Sequence, residues 1–373
     1  MFFMAYEKLK SVLFDNSFDL PSILLNDKKT FLFHFNHKMN HFFDLLSLIP
    51  ERSLPNNVSK KDYLMKIALI TTGIKETLQE YLNGYPVKSY SLFKKVISEA
   101  ELDNLLENIK KIELTRDSKF YRIKREYHQN KKPFLGKLNG VYEYKSPLDL
   151  FHVPFEKRKA IPTNRFSIPG FPALYLSGSL CTSWSECNLK NSDSFHAIKY
   201  SNHRPLYIAD VVPLTKIISK NSLSHKNKIH IYNSYYDPDL LLYDYSLLFP
   251  LILACHSKFI YSEEYKGEVA FKSEYIIPQL LLQWYREKNI FVDGIRYFSC
   301  TSDLKFPKKP IDKFNYVIPV VDTSENGYCN CLKNNFSASS IFSYLSNPKA
   351  KNIENYLSSI ERKLNFSCSK PLK

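Results

Sequence analysis

The stretch that decides the fold is residues 164–188, which read NRFSIPGFPALYLSGSLCTSWSECN. Ile168-Pro169-Gly170 marks a turn, because proline and glycine favour the backbone angles that turns need. The apolar run ALYLS at 173–177 predicts a short strand. A helix is expected to begin near Ser179, since serine is a preferred N-cap residue. The stretch therefore predicts a turn–strand–helix unit within a mixed helix-and-sheet domain.

Three side chains of this unit suit the binding of a dinucleotide. Arg165 precedes the turn, Tyr175 lies in the strand and Glu186 lies in the helix. A guanidinium binds a pyrophosphate bidentately, and a tyrosine ring offers a flat face to nicotinamide or adenine. A carboxylate can hold a ribose hydroxyl and stabilise an oxocarbenium-like transition state. Spacing alone favours the ordinary alternative of a surface arginine, a core tyrosine and a solvated glutamate.

Short strand-like runs alternate with turns and helices from about Lys119 onward, which predicts an α+β domain beginning near residue 115. Strands are predicted at 120–124, 173–177, 205–212, 294–299 and 315–321, and helices at about 179–187, 238–257 and 276–288. After about residue 340 we expect one short helix, Ile353 to Leu364, and a basic end.

The N-terminal part is predicted to be helical. From Tyr63, apolar residues recur at spacings of three and four, with Ser59 as the expected N-cap and Asn83-Gly84 as the stop. A second apolar stripe runs through Leu102, Leu105, Ile109 and Ile112. The predicted domains are therefore an all-α region at 1–114, an α+β domain at 115–340 and a C-terminal helix with a basic tail at 341–373.

Composition predicts a soluble, cytoplasmic protein. The chain has 373 residues, a net charge of +15 and seven cysteines, an odd number whose scattered positions suit reduced thiols. The most apolar stretch, Leu240 to Cys255, is interrupted by Asp244 and Pro250 and is predicted to be a buried core helix rather than a membrane span. The N-terminus lacks the pattern of a signal peptide. The positive charge is compatible with a phosphate-bearing ligand.

Two histidine and cysteine patterns could indicate a metal site. His34, His37 and His41 share one face of a helix, but no HExxH-type glutamate accompanies them and the surroundings are rich in phenylalanine. Cys329 and Cys331 form a CxC pair without a second pair nearby. We therefore predict no metal.

A competing hypothesis is an RNA-binding protein or ribonuclease. The spacing from Arg122 to His128 fits the RxxxxxH pattern of HEPN-type ribonucleases. That chemistry needs the pair at a helix end, whereas FYRIK at 120–124 has the composition of a strand. A nucleic-acid partner is therefore not expected.

Four ordered segments resemble the RES domain family. They are the unit at 164–188, FYRIKRE at 120–126 with its Tyr-Arg pair, LFHVPFEKR at 150–158, and residues 271–302, which contain the serine of the family name. The helical stretch at 80–97 is similar to the segment that precedes RES domains in longer members. The resemblance implies a fold like that of ADP-ribosyltransferases of the diphtheria-toxin group and an activity that splits NAD at the nicotinamide–ribose bond.

The resemblance also assigns roles to individual residues. Arg122 and Arg165 would bind the phosphates, Tyr121 would belong to the NAD-binding strand, Tyr175 would stack near the nicotinamide, Glu186 would stabilise the ribosyl cation, and Ser299 would hydrogen-bond within the pocket. The sequence departs from the family pattern at Ser167, where an asparagine is usual, and in its greater length. The greater length puts the pairing with an antitoxin in doubt more than it does the chemistry.

The sequence therefore predicts a toxin-like enzyme that consumes NAD as its substrate and needs no cofactor. Hydrolysis, phosphorolysis and ADP-ribosyl transfer all remain open. An antitoxin or another regulatory protein is a candidate partner, and no association with a membrane is expected. The alternatives are the RNA-directed function above and a non-catalytic module that binds NAD without consuming it.

Overall fold

The computed structural model describes most of the chain in two compact units. The described residues are 6–25, 29–55, 58–106, 111–126, 146–219, 229–231, 234–260, 269, 271–288, 292–301, 313–322, 324–344, 353–367 and 369–372. Unit 1 comprises Met1–Ile112, Thr163–Phe166 and Ala209–Phe291, and unit 2 comprises Glu113–Pro162, Ser167–Ile208 and Val292–Lys373.

Helices and strands are both abundant, which confirms the α+β class. The helices are α1 (Glu7–Leu13), α2 (Phe31–Ser47), α3 (Lys60–Leu82), α4 (Pro86–Glu99), α5 (Leu102–Asn104), α6 (Leu180–Glu186), α7 (Pro238–Cys255), α8 (Ile276–Glu287), α9 (Asn330–Asn335) and α10 (Ile353–Phe366). The strands are β1 (Ser22–Leu24), β2 (Lys111–Leu114), β3 (Lys119–Arg125), β4 (Ala173–Ser177), β5 (Phe195–Asn202), β6 (Leu206–Asp210), β7 (Ile229–Ile231), β8 (Ser234–Tyr236), β9 (Ser257–Phe259), β10 (Gly294–Phe298), β11 (Phe314–Pro319), β12 (Phe336–Ala338), β13 (Phe342–Tyr344) and β14 (Lys370–Pro371).

Helix α3 forms where the apolar stripe predicted it. The Ser59 hydroxyl accepts a hydrogen bond from the Asp62 N–H at 3.1 Å and donates one to the Asp62 carboxylate at 2.6 Å. Gly84, with φ of 87°, stops the helix because this left-handed angle suits glycine. The predicted second helix is wrong in its last part, since Ile112 lies in strand β2. Ile109 lies outside the described residues.

Helix α7 is the core helix of unit 1. It is long and apolar enough to cross a membrane by length and composition, yet 78% of its apolar window is buried inside the protein. The Tyr63 hydroxyl of α3 donates to the Ser246 Oγ of α7 at 2.8 Å. Helix α8 buries an apolar face that includes Leu281 and Trp284. Because α7 and α8 bury their apolar faces against α3, residues 209–291 belong to unit 1, whereas the sequence assigned them to the domain at 115–340.

Unit 2 contains a large sheet with β3 near its centre. The strand order is β14-β12-β5-β3-β4-β11-β10-β6-β2, with β13 also paired to β5. The pairs from β12 through β10 along this order are antiparallel. All five predicted strands are present, and β5 and the short strands β12, β13 and β14 were not predicted.

Helix α6 lies against this sheet beside β3. The Ser179 hydroxyl caps it by accepting from the Thr182 N–H at 3.2 Å. Leu180 and Trp184 of α6 pack in one apolar cluster with Leu357 of α10. The predicted C-terminal helix is thus confirmed, and it packs within unit 2 instead of forming a separate tail.

Candidate functional site

Glu186, the last residue of α6, is the centre of a hydrogen-bonded group in unit 2. Its side chain is exposed, yet its Oε1 accepts from the Ser299 hydroxyl at 2.5 Å and from the Asn315 Nδ2 at 2.8 Å. Ser299 and Asn315 are 0% and 3% exposed. Two buried neutral donors therefore hold one oxygen of a solvent-facing carboxylate.

Two strand ends position these donors. Ser299 follows β10, where its N–H donates to the Lys313 carbonyl at 2.8 Å. Asn315 lies on β11 directly opposite Ser177 of β4, whose hydroxyl donates to the Asn315 Oδ1 at 2.8 Å. Sequence reasoning found Glu186 and Ser299 but missed Asn315 and Ser177. The sequence signal that could have found Asn315 is its position as the polar first residue of the apolar run NYVIPVV at 315–321.

Arg122 lies where strands β3 and β4 diverge. The two strands are in register at Tyr121 and Ser177. Beyond that pair, the Ile123 N–H donates to the Ser183 hydroxyl of α6 at 2.8 Å, so the backbone of β3 bonds to α6 at this point. The Arg122 Nη1 donates to the Tyr175 carbonyl at 3.3 Å. Arg122 of β3 thus bonds to the backbone of β4, and the next residue of β3 bonds to α6, the helix that carries Glu186.

The positive charge of Arg122 affects its neighbours. Burial of the ammonium, followed by repulsion from Arg122, lowers the pKa of Lys124 to about 8. Burial first, and the charge of Arg122 to a lesser extent, lowers the pKa of His152 to about 4. The His152 Nδ1 lies 2.8 Å from the Val153 carbonyl, and Nε2 accepts from the Cys329 N–H at 2.9 Å. His152 is therefore a neutral, structural histidine, and Arg122 and Lys124 make this region attractive to an anion.

The two predicted tyrosines differ in their surroundings. Tyr175 is half-buried on β4, and strand alternation places it on the same face of the sheet as Ser177. Tyr121 is 3% exposed, packs in the apolar cluster beneath α6, and donates its hydroxyl to the Asn365 Oδ1 at 2.8 Å. The structure places Tyr175 on the sheet face that carries Ser177, and it places the ring of Tyr121 in the core.

Arg165 belongs to unit 1, unlike the other predicted site residues. It is 6% exposed. Its Nη1 donates to the Cys255 carbonyl at 2.7 Å and its Nη2 to the Ser257 carbonyl at 2.8 Å. The guanidinium carbon lies 4.7 Å from the centre of the Tyr275 ring. Both terminal nitrogens thus bond to protein backbone, which is the arrangement of a structural arginine.

The residues considered for metal binding have other surroundings. His34, His37 and His41 lie on α2 beside phenylalanine rings, with His37 stacked on Phe33. The Cys329 thiol donates to the Asp322 carboxylate. Within the described part of the chain, no group of three or more His, Cys, Asp or Glu side chains could hold a metal ion.

The fold and the site define a mixed α+β protein with an exposed carboxylate held by buried neutral donors. Over 303 residues the chain is 29% identical to "Putative toxin YopC" of Bacillus subtilis (strain 168). The alignment covers 77% of this chain and 61% of that protein, so the chain spans less than two thirds of its relative's length. No family model matches the chain. No solved structure matches it either.

Proposed function

We propose that this chain is a toxin-like enzyme that cleaves NAD at the nicotinamide–ribose bond, with an ADP-ribosyltransferase-like fold in unit 2. The observation that carries the proposal is the hydrogen bond between Ser299 and Glu186, which are 113 residues apart in sequence. The RES resemblance identified these two residues from separate segments, and only a common site would require them to meet. The proposed membership of the RES family rests on the four ordered segments, two of which contain these residues.

Glu186 would stabilise the charge that develops during cleavage. When the bond between C1 of the ribose and the nicotinamide nitrogen breaks, its electron pair leaves with the nicotinamide, which becomes neutral. The ribose is left as an oxocarbenium-like cation, and a fixed carboxylate next to it lowers the energy of this state. Water, phosphate or a protein side chain then bonds to C1 and, where it carries a proton, loses it to solvent.

Arg122 would bind the pyrophosphate of NAD. Arg122 is half-buried, its guanidinium donates to the backbone of β4, and Lys124 lies two residues away on the same strand. A fixed guanidinium donates two parallel hydrogen bonds to a phosphate, which orients the substrate as well as binding it. Tyr175, whose carbonyl accepts from Arg122, would then lie against the nicotinamide side.

The toxin-like role is supported by the relative from Bacillus subtilis, whose name contains the word toxin. Loss of cellular NAD would account for toxicity in a toxin or defence system. Such an enzyme requires restraint, and an antitoxin or another regulatory protein would provide it. The largely buried α7 is consistent with a soluble protein, and we propose that this protein acts in the cytoplasm.

The proposal predicts that purified protein releases nicotinamide from NAD. Glu186→Gln should lose this activity, whereas Glu99→Gln, an exposed glutamate on α4, should keep it. Mass spectrometry of the second product, with and without phosphate, would identify the acceptor. Binding of NAD without release would mean a non-catalytic module, and equal release by both variants would remove Glu186 from the mechanism.

The described residues do not favour the ribonuclease alternative. Arg122 lies within strand β3 and not at a helix end, as that chemistry requires. His128, its predicted partner, lies outside the described residues.

A further inference from the structure

We propose that Asn315 and Ser177 are positioning residues for Glu186, which builds on the NAD-cleaving function proposed above. The chain Ser177–Asn315–Glu186 runs through hydrogen bonds of 2.8 Å and 2.8 Å. Asn315 lies outside the four segments that suggested the function, and Ser177, although it lies within 164–188, was assigned no role there. Their role would be to fix the direction in which the carboxylate faces the substrate.

The two oxygens of Glu186 have different surroundings. Oε1 accepts from Asn315 and from Ser299, whereas Oε2 has no hydrogen-bond partner among the residues that the structure describes. Because Glu186 is exposed, Oε2 faces solvent. One oxygen is therefore fixed by the protein, and the other is presented to a ligand.

The Asn315 amide has one favourable orientation in this chain. With Oδ1 toward Ser177, Nδ2 donates to Glu186. The reversed amide would place Oδ1 against a carboxylate oxygen, which is repulsive because neither atom carries a proton. Since Asn315 is 3% exposed, water cannot readily compensate for the lost bond.

Neutral donors suit the proposed chemistry better than a cation would. A lysine or arginine bonded to Oε1 would offset the negative charge that is needed beside the ribosyl cation. Hydroxyl and amide donors stabilise the ionised carboxylate and leave its charge in place. Asn315 and Ser177 also lie on paired strands, and residues on rigid elements hold a site more precisely than residues on loops.

The first test detects the hydrogen bond between Asn315 and Glu186 without measuring enzyme activity. Nitrogen-15 spectra of the full chain should show the side-chain NH₂ signals of Asn315 shifting in Glu186→Gln and again in Ser177→Ala. A control, Asn335→Asp on α9, should leave them in place, because Asn335 bonds instead to Arg204 and Cys331. If the Asn315 NH₂ signals do not shift in Glu186→Gln, the hydrogen bond from Asn315 to Glu186 is absent and the positioning role is wrong, even if the protein cleaves NAD.

The second test measures kcat and KM for nicotinamide release. Asn315→Asp should lower kcat about 10-fold to 100-fold, with KM changed less than about twofold, because a hydrogen bond to a charged group is lost. The acid-side midpoint of the kcat–pH profile should rise by about one unit, since a second carboxylate opposes ionisation of the first. Ser177→Ala should show a smaller fall, and Asn335→Asp none.

The two tests separate the two proposals. If the wild type releases no nicotinamide but the Asn315 signals respond to Glu186→Gln, the NAD function fails and the contact stands. If the wild type is active and Asn315→Asp keeps its kcat and pH profile while remaining folded, the positioning role is wrong.

Discussion

The surroundings of Glu186 and of Arg165 show two ways in which a charged side chain can be held. Glu186 is exposed, with one oxygen bound by two neutral donors and the other facing solvent. Arg165 is buried, and both of its terminal nitrogens donate to backbone carbonyls. Both residues lie within the same 25-residue stretch of sequence, yet they belong to different compact units. Whether a charged group is available to a ligand depends on where its hydrogen bonds go, and not on its distance from a motif.

The largest effect is expected from Arg165→Ala, which should act on stability. Removing the guanidinium takes away two short hydrogen bonds from a charged donor to backbone carbonyls, at about 2–5 kcal/mol in the free energy of unfolding. Denaturant unfolding of wild type and variant would measure this. If the variant had unchanged stability and a raised KM for NAD, Arg165 would not be structural and would instead bind the phosphates of NAD.

Arg122→Ala should behave in the opposite manner. Because Arg122 is half-buried and its hydrogen bond to the Tyr175 carbonyl is long, at 3.3 Å, its loss should change the free energy of unfolding by less than about 1 kcal/mol. The value of kcat/KM for NAD should fall about 10-fold to 100-fold as the phosphate contact is lost. Unfolding curves and initial rates on the same preparation would test both. A large loss of stability with little loss of kcat/KM would make Arg122 the structural arginine.

His152 should give unit 2 a pH-dependent stability that is unrelated to the site. Its pKa is about 4 in the folded protein and is about 6.5 in an unfolded chain, so the unfolded state binds the proton more readily. Stability is then full above pH 6.5 and is lost as the pH falls toward 4, by about 2 kcal/mol between pH 7 and pH 5. His152→Gln should remove this part of the pH dependence. An identical loss in the variant would show that another group is responsible.

The smallest effect is expected from Tyr121→Phe. The structure places this ring in the core and phenylalanine keeps the ring, so loss of the hydrogen bond to Asn365 should cost about 0.5–1.5 kcal/mol of stability. Nicotinamide release should stay within about twofold of wild type, because a core residue does not touch the substrate. A strong loss of turnover without loss of stability would instead place Tyr121 in the NAD site.

The sequence by itself determined the local structure. The apolar stripe from Tyr63, with Ser59 and Gly84 at its ends, determined α3, because caps and periodicity act over a few residues. Alternating short runs determined β3, β4 and β11 in the same way. The position of Glu186 on a helix after a strand followed from turn, strand and cap signals within residues 164–188.

The tertiary structure alone decided which side chains meet. Ser177 and Asn315 are 138 residues apart, Asn315 and Glu186 are 129 apart, and Arg165 and Ser257 are 92 apart. No local signal specifies such pairs, since they arise from strand register and from the burial of helix faces. For the same reason residues 209–291 joined the N-terminal helices, because the apolar surfaces of α7 and α8 needed partners that only the folded chain supplies. The sequence motif identified Glu186, and the packing of the strands decided that Asn315, itself bonded to Ser177, holds its carboxylate, while Arg165 bonds to backbone carbonyls.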